Sequence, residues 1–150
     1  EFTFVPVLLG MQSELTFLKS LPPRARERHI TAQFIRSSAR NPNMNRLMIQ
    51  EGFNKTWRND YITTRLLQPF RDYIRQLTEG STLIRLLDED PHVRYVFLGA
   101  CNMVFSRPGE VSALYGEDVF TDRFIDRHID TVISILENFT GREQREGPND

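Results

Sequence analysis

The segment from Pro91 to Phe139 contains more apolar surface than two helices can bury against one core. The run YVFLGACNMVF from Tyr95 to Phe105 has a single strongly polar side chain, Asn102. On a helix its apolar positions go almost all the way round, which predicts a helix surrounded on every side. Asp90 followed by Pro91 marks its start, an N-cap acceptor and then the proline favoured at the first helical position. Gly99 and Ala100 leave room for another helix to cross closely. Further on, Phe124, Ile125, His128, Ile129, Val132, Ile133, Ile135, Leu136 and Phe139 cover about half a helical cylinder, whereas one core needs a stripe of about 100°. The excess predicts a second partner. A two-fold four-helix bundle, each protomer contributing this pair, is the economical arrangement. Val93, Val96, Ala100, Val104, Ile125, Ile129, Val132 and Leu136 are its expected contacts.

Upstream, punctuation at Pro22-Pro23, Asn41-Pro42, Gly80, Asp90-Pro91, Pro108-Gly109 and Gly141 cuts the chain into helix-length pieces. Strand signals are nearly absent; only Phe2 to Leu9 carries such residues, poorly alternated. Leu8, Met11, Leu15 and Leu18 predict a helix over about Val7 to Ser20. A second runs from about Arg24 to Arg40 and stops before Asn41-Pro42. A short third covers about Met44 to Glu51 and ends at Gly52. The fourth starts at Asn59 or Asp60 and ends at Thr78, with Gly80 just beyond. It gathers Ile62, Leu66, Leu67, Phe70, Tyr73, Ile74 and Leu77 within roughly 140° of arc. Pro69, inside it, removes a backbone hydrogen bond and predicts a kink. The expected fold is an all-α antiparallel bundle of about six helices in one domain over 1–141, with a disordered tail over 142–150.

The chain's 150 residues suit one core, and 19 basic against 20 acidic residues give a net charge of −1. Nucleic-acid binding needs clustered cations, and no such cluster with interleaved aromatics is present. Arg24 to Arg28 reads as a solvated first turn. No stretch approaches the roughly 20 apolar residues of a membrane span. The single cysteine, Cys101, excludes an intrachain disulfide and fits a reducing cytoplasm. The opening Glu1, without a signal-peptide pattern, reads as part of a longer or processed protein.

Several of these segments resemble the C-terminal, effector-binding and dimerisation domain of the tetracycline-repressor (TetR) family of transcriptional regulators. Asn41 to Gly52 (NPNMNRLMIQEG) is similar to that family's N-P-x-x-x-R-L-x-x-x-E segment. Tyr61-Ile62 leading to Leu67-Gln-Pro-Phe-Arg71 resembles its long kinked helix. Gly99 to Ser106, Leu114-Tyr-Gly116 and the closing helix through Arg127-His-Ile-Asp130 follow in order, so the resemblance covers about Arg24 to Phe139. It implies a bundle with a central cavity, a dimer made by the last two helices, and a bacterial regulator, in the commoner case a repressor, that leaves its operator on binding an effector. The family's helix-turn-helix has no counterpart in Glu1 to Pro23. Operator DNA would be reached only through such a missing N-terminal domain.

An enzyme needs a convergent nucleophile, base or metal set. His29, His92 and His128 are scattered and without metal-ligand spacing; His128 reads as a packing histidine, and Cys101 as a small buried hydrophobe. Neither catalysis, metal nor cofactor is expected. The aromatic content, 11 Phe, 4 Tyr and 1 Trp, allows a pocket for an apolar or amphipathic small molecule. Its candidate lining is Phe34, Met48, Trp57, Tyr61, Phe70, Tyr73, Phe97 and Asn102, with Gln33 or Arg36 opposite. Each could equally be core, or a buried polar group satisfied by a neighbouring helix. A free-standing helical lipid carrier and a purely structural dimerisation module are the alternatives.

Overall fold

Asp90 and Pro91 start a helix for the expected stereochemical reasons. Asp90 Oδ1 accepts the His92 backbone N–H at 2.8 Å, and Pro91 takes the first helical position, where its missing N–H costs nothing. The computed structural model describes residues 14–143. Within them the elements are α1 (residues 14–20), α2 (Pro23–Arg40), α3 (Pro42–Gly52), α4 (Trp57–Ile62), a π turn (Thr63–Leu67), α5 (Gln68–Arg75), α6 (Thr82–Glu89), α7 (Pro91–Ser106), α8 (Pro108–Tyr115) and α9 (Asp122–Glu143). All regular structure among the described residues is helical. The stretch from Val7 to residue 13, the strand-like residues Phe2 to Leu9, and most of the expected tail lie outside them.

Proline and glycine set most boundaries. Pro23, Pro42 and Pro108 each sit at a helix start, and Gly116 closes α8 in the left-handed region, at φ 66°. The fourth helix starts earlier than Asn59: extended Thr56 is its cap, and Thr56 Oγ1 accepts the Asn59 N–H at 3.2 Å. Asn59 is freed to tie α4 back to α3, donating from Nδ2 to the Glu51 carbonyl at 2.9 Å. Pro69 disturbs the ladder as expected, and the disturbance takes the form of the π turn just before it. There the Gln68 N–H bonds back to the Thr63 carbonyl, five residues away. Two short helices, α6 and α8, add to the expected number. Ser81 caps α6, its Oγ accepting the Ile84 N–H at 3.1 Å.

Two cores hold these elements. The larger joins Ile35 and Ala39 of α2, Leu83 and Leu87 of α6, Phe97, Cys101 and Phe105 of α7, Val119, and Ile129, Val132 and Ile133 of α9. The smaller joins Leu18, Ile74, Leu77 and Ile84. Each buried Val, Leu, Ile or Phe among them contributes about 1.5–3 kcal/mol through burial. α6 serves both cores, with Leu83 and Leu87 on one side and Ile84 on the other.

One expectation is overturned at the start of α2. Arg24 and Arg28 are exposed, but Arg26 between them is buried, only 6% accessible. Its Nε donates to the Leu18 carbonyl at 2.9 Å and its Nη1 to those of Leu77 and Glu79 at 2.8 and 3.0 Å. Its Nη2 donates to the carbonyls of Lys19 and Leu21 at 3.4 and 3.2 Å. These carbonyls end α1 and follow α5, where helical oxygens lack intrahelical partners and the helix dipole is negative. A planar five-donor guanidinium fits that role.

Neighbouring Glu27 grips the same turn from its other side, its Oε1 accepting from Ser81 Oγ and from the Leu83 N–H. Gly80 lies between, at φ 71°, and a Cβ there would stand 3.0 Å from Pro23 Cγ. Both its conformation and the close approach of Pro23 call for glycine. Asp88 of α6 accepts from Arg71 Nε and Arg75 Nε of α5. Burial pushes the Asp88 carboxyl up, but the hydrogen bonds from Arg75 and Arg71 outweigh it and hold the pKa below the usual value.

Replacing Arg26 with Met keeps a long apolar stem and strands the carbonyls. The expected cost is about 3 kcal/mol or more, seen as a Tm lower by roughly 6–12 °C, and Arg26→Lys restores only part of it because a compact ammonium cannot span both helix ends. A Tm for Arg26→Met within about 2 °C of the parent would show that the cage is not a stabilising element.

Candidate functional site

α7 and α9 cross where the small residues of α7 lie. His128 Nε2 is 2.8 Å from the Ala100 carbonyl oxygen; a carbonyl only accepts, so Nε2 carries the proton and donates. The imidazole meets Phe105 edge-on, with centroids 5.6 Å apart, and stacks against Phe124 at 6.3 Å. Burial lowers its pKa, with the Ala100 bond opposing. Gly99, one position before the crossing, turns away from the chain, and a Cβ there would meet nothing within 4 Å.

The expected interface residues divide between the inside and the outside. Ile129 and Val132 are buried within the chain's own core. Val93, Ala100, Val104, Ile125 and Leu136 are half-buried and pack against that core from its edge. Val96 is 70% exposed. Other apolar side chains of these helices, which sequence reasoning did not single out as interface residues, are exposed as well: Tyr95 and Met103 on α7, Leu114 and Tyr115 on α8, Phe120, and Ile135 and Phe139 on α9. Val96, Gly99 and Met103 follow at three- and four-residue spacing and share one face of α7; Ile135 and Phe139 do the same on α9. Apolarity shows that both helices carry a surplus. Which residues form it depends on where α2, α3 and α6 meet α7.

The eight expected ligand contacts are spread over both cores and the surface. Phe34 and Phe97 meet in the larger core, with ring centroids 5.7 Å apart. Phe70 and Tyr73 flank the smaller one, and burial, followed by the Glu14 carboxylate, raises the Tyr73 pKa. Trp57 is 74% exposed beside the Arg58 guanidinium, and Tyr61 is exposed one turn further on. Met48 and Asn102 are half-buried. Gln33 is exposed, and Arg36 pairs with Asp126 at 3.2 Å.

A cavity lined by Glu27, Arg28, Thr31, Leu83, Ile133, Leu136 and Glu137 encloses about 10 Å³, room for about one water. None of the eight residues lines it. Burial pushes the Cys101 thiol up to about 12, so it stays protonated at neutral pH and is no nucleophile. Among the described residues no group of three or more His, Cys, Asp and Glu side chains is placed to hold a metal ion, and no helix is long and apolar enough to cross a membrane.

Comparison of the chain with protein-family models, with curated proteins and with solved structures finds no match.

His128 makes the crossing sensitive to pH. Its folded pKa is lowered, so as pH falls through about 6.5 the unfolded chain takes up the proton first and stability is lost. Tm measured from pH 8 down to pH 5 is expected to fall more steeply for the parent than for His128→Phe, which keeps a ring between Phe105 and Phe124. Equal slopes would remove His128 from the pH response.

Proposed function

We propose that two copies of this chain pair through the outer face of α7, α8 and α9, and that the pair is the dimerising, effector-sensing part of a TetR-like transcriptional regulator. One observation carries the pairing. α2, α3, α6, α8 and α9 already pack against α7, and Val96 and Met103 still stand exposed beside open Gly99, with Ile135 and Phe139 exposed on α9. Exposed apolar residues grouped in this way mark association surfaces in soluble proteins. A two-fold axis at this face sets α7 and α9 against their copies in a four-helix bundle, and Gly99 lets the backbones approach. The regulatory role comes from the resemblance in the segments between Arg24 and Phe139. It places operator recognition in DNA-reading heads upstream, release of DNA in the effector-bound state, and the protein in the cytoplasm.

Effector binding requires the domain to open. Pockets for drug-sized ligands enclose about 300–1,000 Å³, far more than the water-sized space between α2, α6 and α9. An effector would select a rearranged state, and the interrupted ladder around Pro69 is the place for it to yield. The small size of that space among the described residues favours a second reading, a purely structural dimerisation module that binds no small molecule.

Static light scattering at micromolar concentration is expected to give twice the 17.6 kDa chain mass, and Val96→Glu and Ile135→Glu to give the single chain with unchanged helical content. A monomeric parent would sink the pairing. A long-chain fatty acid or polycyclic aromatic present at about 100 times its Kd is expected to raise Tm by roughly 5–10 °C. If a broad panel of such compounds leaves the dimer's Tm unmoved, the structural module is the correct reading.

A further inference from the structure

Charge is balanced over the whole chain but not along it. From Arg40 to Arg65 the cations Arg40, Arg46, Lys55, Arg58 and Arg65 stand against the anions Glu51 and Asp60, so this stretch carries +3 and the rest of the chain −4. All five cations are exposed. Arg58 pairs with Glu51 at 3.0 Å, whereas Arg40, Arg46, Lys55 and Arg65 make no ion pair among the described residues. Folding leaves the aromatic residues between them in solvent. Phe53 is 80% exposed where α3 ends, and Trp57 and Tyr61, four residues apart on α4, are exposed on one face of it. The corner that carries them is fixed. The buried Glu51 carboxylate accepts from Thr56 Oγ1 and Arg58 Nε, and the Glu51 carbonyl accepts from Asn59 Nδ2. The Arg58 guanidinium stands 5.9 Å from the centre of the Trp57 ring.

We propose that the α3–α4 corner docks on an anionic bilayer surface, with Phe53, Trp57 and Tyr61 at the headgroup boundary and Arg46, Lys55 and Arg65 serving the lipid phosphates. No described helix is long and apolar enough to span a membrane, so the contact is peripheral. Trp and Tyr have an apolar body and a polar tip, which suits the boundary between headgroups and acyl chains, and nearby cations add attraction to anionic lipid. A single-stranded nucleic acid would also use cations and rings. Leu47 and Ile49 of α3 are exposed as well, however; they have no π face for a base to stack on, and they suit acyl chains. The corner is separate from the pairing face of α7, α8 and α9, so either can fail without the other.

Trp57 is the only tryptophan of the chain, and its emission reports on the corner directly. Vesicles of phosphatidylcholine with phosphatidylserine, added to the full chain at low salt, are expected to shift that emission to the blue and to carry the chain down on sedimentation. Vesicles of phosphatidylcholine alone are expected to do neither. Lys55→Gln combined with Arg65→Gln is expected to weaken binding about twentyfold, from about fivefold per cation, and Phe53→Ser about tenfold. Arg24→Gln combined with Arg123→Gln removes the same charge elsewhere and is expected to leave binding unchanged. All these side chains are exposed, and helical content checks that each variant folds. No blue shift with anionic vesicles, equal binding to neutral ones, or equal weakening by the two double variants would overturn the proposal. So would tighter binding of poly-uridine than of vesicles at the same corner, which would assign it to nucleic acid.

Discussion

Arg26 is the point on which the helices of this domain depend for their relative placement. A guanidinium is costly to remove from water, and here five backbone carbonyls replace the water. Those oxygens come from two chain segments more than fifty residues apart, the end of α1 and the turn after α5. Both must therefore reach α2 at one spot. Glu27, next along, accepts from Ser81 and Leu83 and so fixes the entrance of α6. Gly80 allows the intervening turn to pass beneath Pro23. With α6 held there, its opposite sides close both cores.

The second constraint is the apolar surplus of α7 and α9. Much of it is used inside the chain, since α7 lies among α2, α3, α6, α8 and α9 and contributes Phe97, Cys101 and Phe105 to the larger core. What remains, Val96 and Met103 on α7 and Ile135 and Phe139 on α9, is exposed, and the two helices meet at the His128–Ala100 crossing. There a polar ring satisfies itself on a helical carbonyl and packs between two phenylalanines, so His128 serves the crossing and needs no ligand.

Several features were legible because their causes are local. An aspartate before a proline forms the same cap wherever it stands, and Asn41-Pro42 interrupts a helix whatever packs around it. The surplus on α7 and α9 could also be counted along the chain. Arg26 was not legible, because Arg24, Arg26 and Arg28 look alike until the ends of α1 and α5 arrive beside one of them. α6 was overlooked because an eight-residue helix has little pattern of its own; Ser81, Glu27, Arg71 and Arg75 hold it in place. The aromatic residues suggested a pocket, yet Phe34 and Phe97 pack on each other while Trp57 stands in solvent. Side-chain type does not say which rings will meet.

The helical class, most helix starts and stops, the disturbance at Pro69 and the apolar excess near the C-terminus follow from residues acting on their immediate neighbours in the chain. They are matters of backbone stereochemistry and of periodicity, and a sequence contains both. Which apolar residues of Pro91 to Phe139 are spent inside and which face outward was decided only by the packing of α2, α3 and α6. A helix's periodicity records how many of its sides are apolar, but not the direction from which each neighbour comes. For that reason the surplus first seen as a property of two helices becomes, in the folded chain, the particular exposed side chains of Val96, Met103, Ile135 and Phe139.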